Sequence, residues 1–534
     1  MTDASHDAVA AAWAHLESLP RPTLGELFSQ AHVGAEGTGE GTGAARVAML
    51  TGCIAWDARD DGGEDIGAIR FDWSKTHLDA AHLAGFETLA EARDFTGRRA
   101  ALFAGEAVNL TEGRAATHTA QRGFGSEADV EEAAALHERM RLLVEAIHGV
   151  DGEAGVLGEI RHLIHIGIGG SALGPALALA ALAREFPLVD AHVVSNIDGV
   201  ALESACRACD PATTLIAVAS KTFTTIETMT NADSALKWLR ENGVADPHGR
   251  VIALTASPEK AVEWGVDETR VLPFPASVGG RYSLWSSIGF PIALAAGWDE
   301  FAAMLTGAAA VDHHFESAEG RANLCLRAAF ADQLYTRLRG CQTRAVFAYD
   351  ERLALFPSYL QQLEMESNGK RTTLEQTPVS GPSAPITWGG VGTDAQHAVF
   401  QLLHQGTIEA PVDFIASIAP GDMLDPAHHR ILLMNCFAQG AALMAGAAGV
   451  DPARAYPGDR PSATMLCDDI DAATLGALIA FHEHRTFANA VLLGINPFDQ
   501  FGVELGKDIA RRIDEGLGGF DAGTAALLEA AGLG

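Results

Sequence analysis

The pattern of apolar and polar positions changes along the chain and divides it into four regions. Residues 1–125 follow a mostly helical pattern, interrupted by the run GAEGTGEGTGAA, whose composition predicts a loop. Strand-like and helical runs then alternate twice, over residues 126–302 and again over 303–515, and the Ala- and Leu-rich tail 516–534 is predicted to be helical. Two successive alternating units predict an α/β fold with two doubly wound domains, each built on a parallel sheet.

Two strand-to-helix junctions in the first unit are typical of ligand-binding turns. The apolar run LIHIGI is followed by GGSALGP and a long helix, and the run LIAVA is followed by SKTFTT and another helix. Ligands of such sheets bind beyond the carboxyl ends of the strands, where the free N–H groups of a helix start favour an anion. We interpret SKTFTT as a phosphate cradle, although it matches neither GxxxxGK[ST] nor GxGxxG. The alternative is a helix N-cap rich in Ser and Thr.

Four polar side chains in other segments are candidates for acid–base chemistry or for contact with a ligand. In LFPSYLQQLEMESNGKR the apolar pattern is helical, so Gln362 and Glu366, four apart, share a face and could form a base with an orienting amide. Arg281 follows a Gly pair in VGGRYSLWSSIG, from where its guanidinium could reach a ligand. His397 lies on a predicted helix. The alternatives are a surface Glu and a structural His.

Lysine is scarce in this chain and therefore informative. It occurs six times, so 31 of the 37 basic residues are Arg. A Lys ammonium is a compact point charge suited to phosphate binding and proton transfer. Lys221, Lys370 and Lys507 lie in conspicuous motifs, and Lys507 is predicted to share a helix face with Gln500. Ordinary solvated side chains are the alternative interpretation.

Composition narrows the class of protein. The formal net charge of −32 and the pI near 4.9 argue against nucleic acid or an anionic membrane as a partner. The seven Cys are scattered and form no disulfide framework, and Cys206 with Cys209 are interpreted as packed or surface thiols. The His pairs and the HEH at 482–484 match no metal pattern and are predicted to lie at the surface, so no metal is expected.

The chain is expected to be a cytoplasmic enzyme. Its N-terminus lacks the basic and apolar regions of a signal peptide. The stretch ILLMNCFAQGAALMAGAAGV is long enough to be considered as a membrane span. Because Asn435 and Gln439 interrupt it, and because it is rich in Ala and Gly, we predict a tightly packed buried helix instead.

Six motifs occurring in one order resemble the glucose-6-phosphate isomerase family. They are GIGGSALGP, SKTFTTIET, VGGRYSLWSSIG, QQLEMESNGK, DAQHAVFQLLHQGT and FDQFGVELGK, and the resemblance extends from NLTEGRAATHTAQR to Lys507. Two departures are visible: Ala172 stands where many members carry Asp, and Leu363–Glu364 stand where Gly-Asp is common. Neither position holds a principal catalytic residue in the family, so the departures concern local substrate contacts rather than the activity.

The resemblance implies a fold of two sugar-isomerase (SIS) type α/β/α sandwich domains with parallel sheets. Residues 126–302 would form the first domain with the phosphate cradle, and 303–515 the second, carrying the catalytic Glu, His and Lys. Helical extensions, 1–125 and 516–534, would flank them. It also implies a homodimer in which the His reaches into the partner's site, and no cofactor.

For catalysis, the resemblance implies that His397 and Lys507 open the sugar ring, Glu366 moves a proton between C2 and C1, and Arg281 stabilises the cis-enediolate. A carboxylate can take a weakly acidic proton beside a carbonyl when a fixed positive charge stabilises the oxyanion. A further group is implied to bind or orient the substrate: Ser220, Lys221, Thr222 and Thr225 at the phosphate, Gly170 and Ser171 at the sugar, Gln362 as another contact, and Glu227 to orient the His.

Two other classes stay open. A non-catalytic sugar-phosphate sensor on the same fold would keep the cradle but would not need Glu366, His397 or Lys507, all of which are present. A glutamine-dependent sugar aminotransferase uses a Cys at the mature N-terminus, whereas this chain begins Met1–Thr2 and its first Cys is Cys53. The expected function is reversible interconversion of glucose 6-phosphate and fructose 6-phosphate, in glycolysis and gluconeogenesis.

Overall fold

The computed structural model describes residues 3–29, 42–57, 66–149, 155–449 and 451–533. Most of the predicted Gly-rich loop lies outside these residues, and its last positions begin a helix. The strands are β1 Thr51–Asp57, β2 Ile66–Asp72, β3 His162–Gly167, β4 Asp190–Val194, β5 Thr214–Ala219, β6 Val251–Thr255, β7 Val271–Pro273, β8 Thr343–Tyr349, β9 Ile386–Val391, β10 Val412–Ser417 and β11 Ser462–Cys467.

Helices cover both faces of the sheets and fill the space between them. They are α1 Asp3–Ser18, α2 Leu24–Ser29, α3 Thr42–Leu50, α4 Ala80–Ala92, α5 Phe95–Phe103, α6 Glu127–His148, α7 Leu173–Leu182, α8 Gly199–Ala208, α9 Ile226–Glu241, α10 Pro258–Trp264, α11 Phe290–Ala295, α12 Trp298–Ser317, α13 Leu324–Gln333, α14 Phe356–Leu360, α15 Gly392–Gln405, α16 Pro426–Ala445, α17 Ala472–Leu493, α18 Glu504–Asp514 and α19 Ala522–Ala531.

The first sheet is entirely parallel, with strand order β4-β3-β5-β6-β7. Its strands are near-continuous apolar runs, and all six residues of β5 are buried, as expected for strands covered on both faces. Because β3 and β5 are neighbours, the turns that follow them emerge side by side at the carboxyl edge of the sheet. The two turns identified from the sequence therefore belong to one edge.

The second sheet combines four parallel strands, β8 to β11, with the antiparallel pair β1 and β2, in the order β1-β2-β11-β10-β8-β9. The predicted α/β class with two parallel-sheet units is confirmed. The strand pair was missed, because its seven-residue strands are stabilised by non-local pairing: Phe71 lies opposite Met465 of β11. The predicted domain boundaries themselves stay predictions.

Helix α17 runs through the core, and every one of its residues is buried. The surface position predicted for the HEH segment is therefore wrong. His484 Nε2 lies 2.6 Å from Asp312 Oδ1 of α12, and Glu483 accepts hydrogen bonds from Arg122 and from Trp285 Nε1, the latter at 2.8 Å. Buried charges are retained where ion pairs and hydrogen bonds satisfy them, and a local polar pattern does not reveal such distant partners.

Helix α16 differs from the buried helix that the sequence predicts. Only Cys436, Gly440 and Leu443 are buried, whereas Ile431, Met434 and Phe437 are about half exposed. None of the helices in the described parts of the chain is long and apolar enough to cross a membrane. The high Ala and Gly content of α16 therefore did not indicate burial, and the helix has an exposed apolar face.

Candidate active site

Gln362 and Glu366 lie on one face of a π-helical turn, Gln361–Glu366, that continues α14 directly. The amide of Gln362 donates from Nε2 to Glu366 Oε2 at 3.0 Å. π-Helical turns are rare and frequently occur at functional sites. The predicted pair is thus brought together, with the amide holding one carboxylate oxygen in place.

The guanidinium of Arg281 faces the same carboxylate, with its NH1 atom 3.4 Å from Glu366 Oε2. Its side chain is only 3% exposed, against 22% for that of Glu366. The carboxylate is therefore accessible from outside, while the cation behind it is fixed. The other acceptors of Arg281 are Ser367 Oγ at 2.6 Å, Gln500 Oε1 at 3.2 Å, and the carbonyl oxygens of Pro497 and, at 3.1 Å, Asp499.

The turn after β3 packs against the Arg281 and Gln362 segments through two glycines, which have no side chains. A side chain at Gly170 would place a Cβ 2.1 Å from the carbonyl carbon and oxygen of Gly280, and 2.5 Å from the nitrogen of Arg281. Gly169 has φ +57°, and its Cβ position lies 3.0 Å from Gln362 Nε2. Ser171 follows, half-buried, and its carbonyl lies 2.7 Å from His165 Nε2. The absence of side chains lets the first sheet approach the Glu366 turn closely.

The loop between β5 and α9, Ser220–Thr225, has the form of a small cradle. Ser220 is buried and shares a hydrogen bond of 3.1 Å with Thr225, while Thr224 Oγ1 donates to Thr222 Oγ1 at 2.8 Å. Phe223 adopts φ 51° with its ring buried, which turns the backbone sharply. Thr225 is the N-cap of α9 by position, yet its side chain makes no capping hydrogen bond. The hydroxyls are thus not used as helix caps.

Three cations surround this loop. Lys221 Nζ donates to the carbonyls of Ala276 at 2.6 Å and Val278 at 3.0 Å. Arg114 NH1 donates to the same Ala276 carbonyl at 3.2 Å, and Lys260 Nζ lies 3.4 Å from the Thr222 carbonyl. Burial, and then the nearby Arg114, lower the pKa of Lys221 to about 8. Arg114 is itself paired with Glu112, its NH2 atom lying 2.6 Å from Oε2, so the positive charge beside the cradle comes mainly from Lys221 and Lys260.

The remaining candidates lie apart from the Glu366 cluster. His397 is exposed on α15, which starts at Gly392 without a side-chain cap, and Lys507 is exposed on α18. Glu227, in the first turn of α9, is half-buried, and no hydrogen bond or ion pair joins it to another residue of the described chain. Gln500 directly precedes the 3₁₀ turn Phe501–Val503, which comes before α18, so its predicted shared helix face with Lys507 is wrong.

Further residues complete the cluster around Glu366 and Arg281. Ser367 bonds both Arg281 and Tyr282, the latter at 2.9 Å. Lys370 Nζ donates to the carbonyls of Glu366 at 2.8 Å and Asp499 at 2.6 Å, and burial followed by Arg281 lowers its pKa. The scarcity of Lys did mark Lys370. The others are ordinary polar residues whose role arises only from distant packing.

The cysteine pair Cys206 and Cys209 lies outside this arrangement. Cys209 is buried and Cys206 half-buried, and burial raises the pKa of the Cys206 thiol to about 11. Within the described ranges no group of three His, Cys, Asp or Glu is arranged to hold a metal ion. What the site assembles is a carboxylate, an amide, a fixed guanidinium and a basic cradle.

Two parallel-sheet units that join a Ser/Thr-rich cradle to a glutamate–arginine pair define a protein of the sugar-isomerase fold class. The family model described as phosphoglucose isomerase matches residues 72–528. The chain is 69% identical over 531 residues to the glucose-6-phosphate isomerase of Erythrobacter litoralis, with 99% of each chain covered. It is 55% identical over 530 residues to that of Zymomonas mobilis, again with 99% of each covered.

A solved structure shows the same fold over the whole length. The glucose-6-phosphate isomerase of Chlamydia trachomatis superimposes with a TM-score of 0.82 at 27% identity, covering 99% of both chains. The chain belongs to the phosphoglucose isomerase family. The family resemblance drawn from the six motifs is confirmed.

Proposed function

We propose that this chain interconverts glucose 6-phosphate and fructose 6-phosphate, and that Glu366 is the base that carries the proton between C2 and C1. The observation that carries this proposal is the partly exposed Glu366 carboxylate, which accepts a hydrogen bond from Gln362 at 3.0 Å and lies 3.4 Å from the fixed guanidinium of Arg281. Its close relatives are named for this activity. The reaction is an aldose–ketose isomerisation of glycolysis and gluconeogenesis, and a cytoplasmic location is part of the proposal.

Each step of such a reaction has a matching group. The phosphate binds at the cradle, where Ser220, Thr222 and Thr225 offer hydroxyls and Lys221 a charge, and this remote binding fixes the sugar beside Gly170 and Ser171. Ring opening needs a proton donor and an acceptor at O5 and O1, the roles of His397 and Lys507. Glu366 then takes the C2 proton and returns it to C1. Arg281 stabilises the enediolate oxygen between these two transfers.

The proposal includes a second copy of the chain, which supplies His397 to the site. His397 and Lys507 are exposed and outside the Glu366 cluster. Large apolar side chains are exposed near both: Leu402 of α15 at 43%, and Leu505 of α18 at 69%. Monomeric proteins rarely leave extended apolar faces in water. A homodimer would cover these faces and bring His397 of one chain to the cradle of the other, where Glu227 could orient it.

The activity itself is tested with a coupled assay of the purified chain, with fructose 6-phosphate supplied and glucose 6-phosphate detected. We expect turnover without added metal or cofactor, and competition by inorganic phosphate. Absence of turnover in a folded preparation would contradict the proposal. Binding of the sugar phosphate without turnover would instead indicate a sensor.

The shared site is tested by mixing two inactive variants. His397→Ala and Glu366→Ala homodimers should each be nearly inactive. Unfolding and refolding equal amounts together makes about half of the dimers mixed, each with one intact site, so about a quarter of wild-type activity returns. If His397 serves its own chain, every site carries one defect and activity stays at the parental level. That result, with heterodimers verified by mass, would exclude the shared site.

A further inference from the structure

Glu364 lies two residues before Glu366 in the same π-helical turn, but on the opposite side of it. Residues two apart do not share a helix face. Gln362 and Glu366 face the Arg281 guanidinium, whereas Glu364 is 7% exposed and is buried against the second sheet. The turn thus carries one carboxylate toward the substrate and another into the interior.

The buried carboxylate is held from two strands. Arg344 of β8 donates from NH2 to Glu364 Oε1, and Thr387 of β9 donates from Oγ1 to Oε2 at 2.6 Å. The ring of His482, on α17, lies 3.6 Å from Oε1. Burial alone would raise the pKa of Glu364, but the charge of Arg344 keeps it well below the usual range. Each carboxylate oxygen therefore has its own donor, and the two donors belong to different strands.

The surrounding network fixes the donors in turn. Arg344 NH1 lies 3.4 Å from Asp332 Oδ1 and 3.3 Å from Asp413 Oδ2, and Arg485 bridges the same two carboxylates with shorter bonds. Arg344 therefore depends on Glu364 for its closest acceptor. Removing one member of such a buried pair leaves the other charge uncompensated, so the turn and the sheet are strongly coupled.

We propose that Glu364 is a positioning residue for the reaction: held by Arg344 and Thr387, it fixes the rotation and height of the π-helical turn so that Glu366 meets Arg281 and the substrate correctly. The inference rests on the proposed function of Glu366. π-Helical turns are rare and frequently occur at functional sites, and this one is held on its far side by the bonds of Arg344 and Thr387 to Glu364. Displacement of a reacting group by about 1 Å can cost roughly 100-fold in rate.

The test compares Glu364→Gln with a matched control, Asp312→Asn. The first variant keeps the shape but removes the charge at the turn, and the control removes a buried carboxylate of a separate network on α12, where its partners are Arg122 and His484. We expect Glu364→Gln to lower kcat roughly 10- to 100-fold while KM changes less than about threefold. The control should keep kcat within about threefold of wild type. Glu364→Asp, which retains the carboxylate, should recover most of the lost kcat.

A second readout distinguishes positioning from stability alone. With C2-deuterated glucose 6-phosphate, a misplaced base makes proton abstraction more rate-limiting, so the isotope effect on kcat should increase in Glu364→Gln and stay unchanged in Asp312→Asn. If Glu364→Gln does not fold, Thr387→Val can replace it, because this variant removes only one donor to Glu364. It should show a smaller loss of kcat and a smaller increase of the isotope effect. Equal losses of kcat in Glu364→Gln and the control, or an unchanged isotope effect, would overturn the proposal.

Failure of this inference can be told apart from failure of the proposed function. The wild-type chain is measured in the same assay, and if it does not isomerise the sugar phosphate, the proposed function fails. Positioning can still be tested in that case, because a crystal structure of Glu364→Gln should show the 3.0 Å bond between Gln362 and Glu366 broken or lengthened. An unchanged bond would contradict the positioning role.

Discussion

The ammonium of Lys221 has three N–H donors, and two of them bond the carbonyls of Ala276 and Val278 at 2.6 Å and 3.0 Å. The third remains for a phosphate in the cradle. Because the pKa of Lys221 is lowered to about 8, this charge is lost as the pH rises through that value. The phosphate of a sugar phosphate is a monoester and already a dianion above pH ~6, so its own charge changes little between pH 7 and 9.

The size of the effect follows from the fraction of Lys221 that is charged. It falls from about nine-tenths at pH 7 to about one-tenth at pH 9, so phosphate should bind up to ~10-fold more weakly at pH 9. Lys221→Met removes a charged hydrogen bond contributing about 1.5–3 kcal/mol, which weakens phosphate binding roughly 10- to 150-fold. In this variant the affinity should no longer change between pH 7 and 9.

The assay is competition by sorbitol 6-phosphate, a phosphate monoester with no carbonyl to isomerise, against fructose 6-phosphate at several pH values. Lys237→Met is the matched control, since Lys237 is an exposed lysine of α9 that pairs with Glu241. It should keep the wild-type inhibition constants and their pH dependence. An inhibition constant that is flat from pH 7 to 9 in the wild type, or one that keeps its pH dependence in Lys221→Met, would refute the reasoning and leave Lys221 as a structural link between two loops.

Two other predictions follow from the same edge of the first sheet. Ser220→Ala combined with Thr222→Ala removes two neutral donors of about 0.5–1.5 kcal/mol each, so the affinities for phosphate and for 6-phosphorylated sugars should fall together; unchanged phosphate competition with weaker sugar binding would mean that the loop holds another group. Gly170→Ala forces a Cβ to 2.1 Å from the Gly280 carbonyl and should lower the free energy of unfolding in denaturant titrations by about 1–3 kcal/mol. Gly280→Ala, which meets nothing within 4 Å, is its control, and equal losses in both would contradict the close-packing argument.

Sequence predicted best what depends on a few consecutive residues. The strand, turn and helix around Ser220 are contiguous, and the spacing of Gln362 and Glu366 places them on one face whether the turn is α- or π-helical. Arg281 could be selected because a Gly pair precedes it. These patterns predicted the fold class, and brought Gln362, Glu366 and Arg281 forward as candidates, before any long-range contact was considered.

Contacts between distant segments could not be predicted in this way. Arg114 reaches the cradle through the carbonyl of Ala276, 162 positions along the chain. The buried HEH segment of α17 has its hydrogen-bonding partners on other helices. Its polar residues, considered without these partners, therefore led to the prediction of a surface position. The strands β1 and β2 join the second sheet because β2 pairs with the edge of β11. In each case the deciding partner is far away in sequence, and no local propensity reports it.

The proton carried by Glu366 is the central claim, and one measurement tests it directly. Glucose 6-phosphate deuterated at C2 is incubated in ordinary water, and the deuterium is followed by mass spectrometry in the C1 position of fructose 6-phosphate and in the solvent. The wild-type chain should move part of the label to C1 and release the rest. Glu366→Gln, folded and still binding phosphate, should do both about 10²–10⁴-fold more slowly, because the base is gone. Transfer or release of the label at a wild-type rate in this variant would contradict the account.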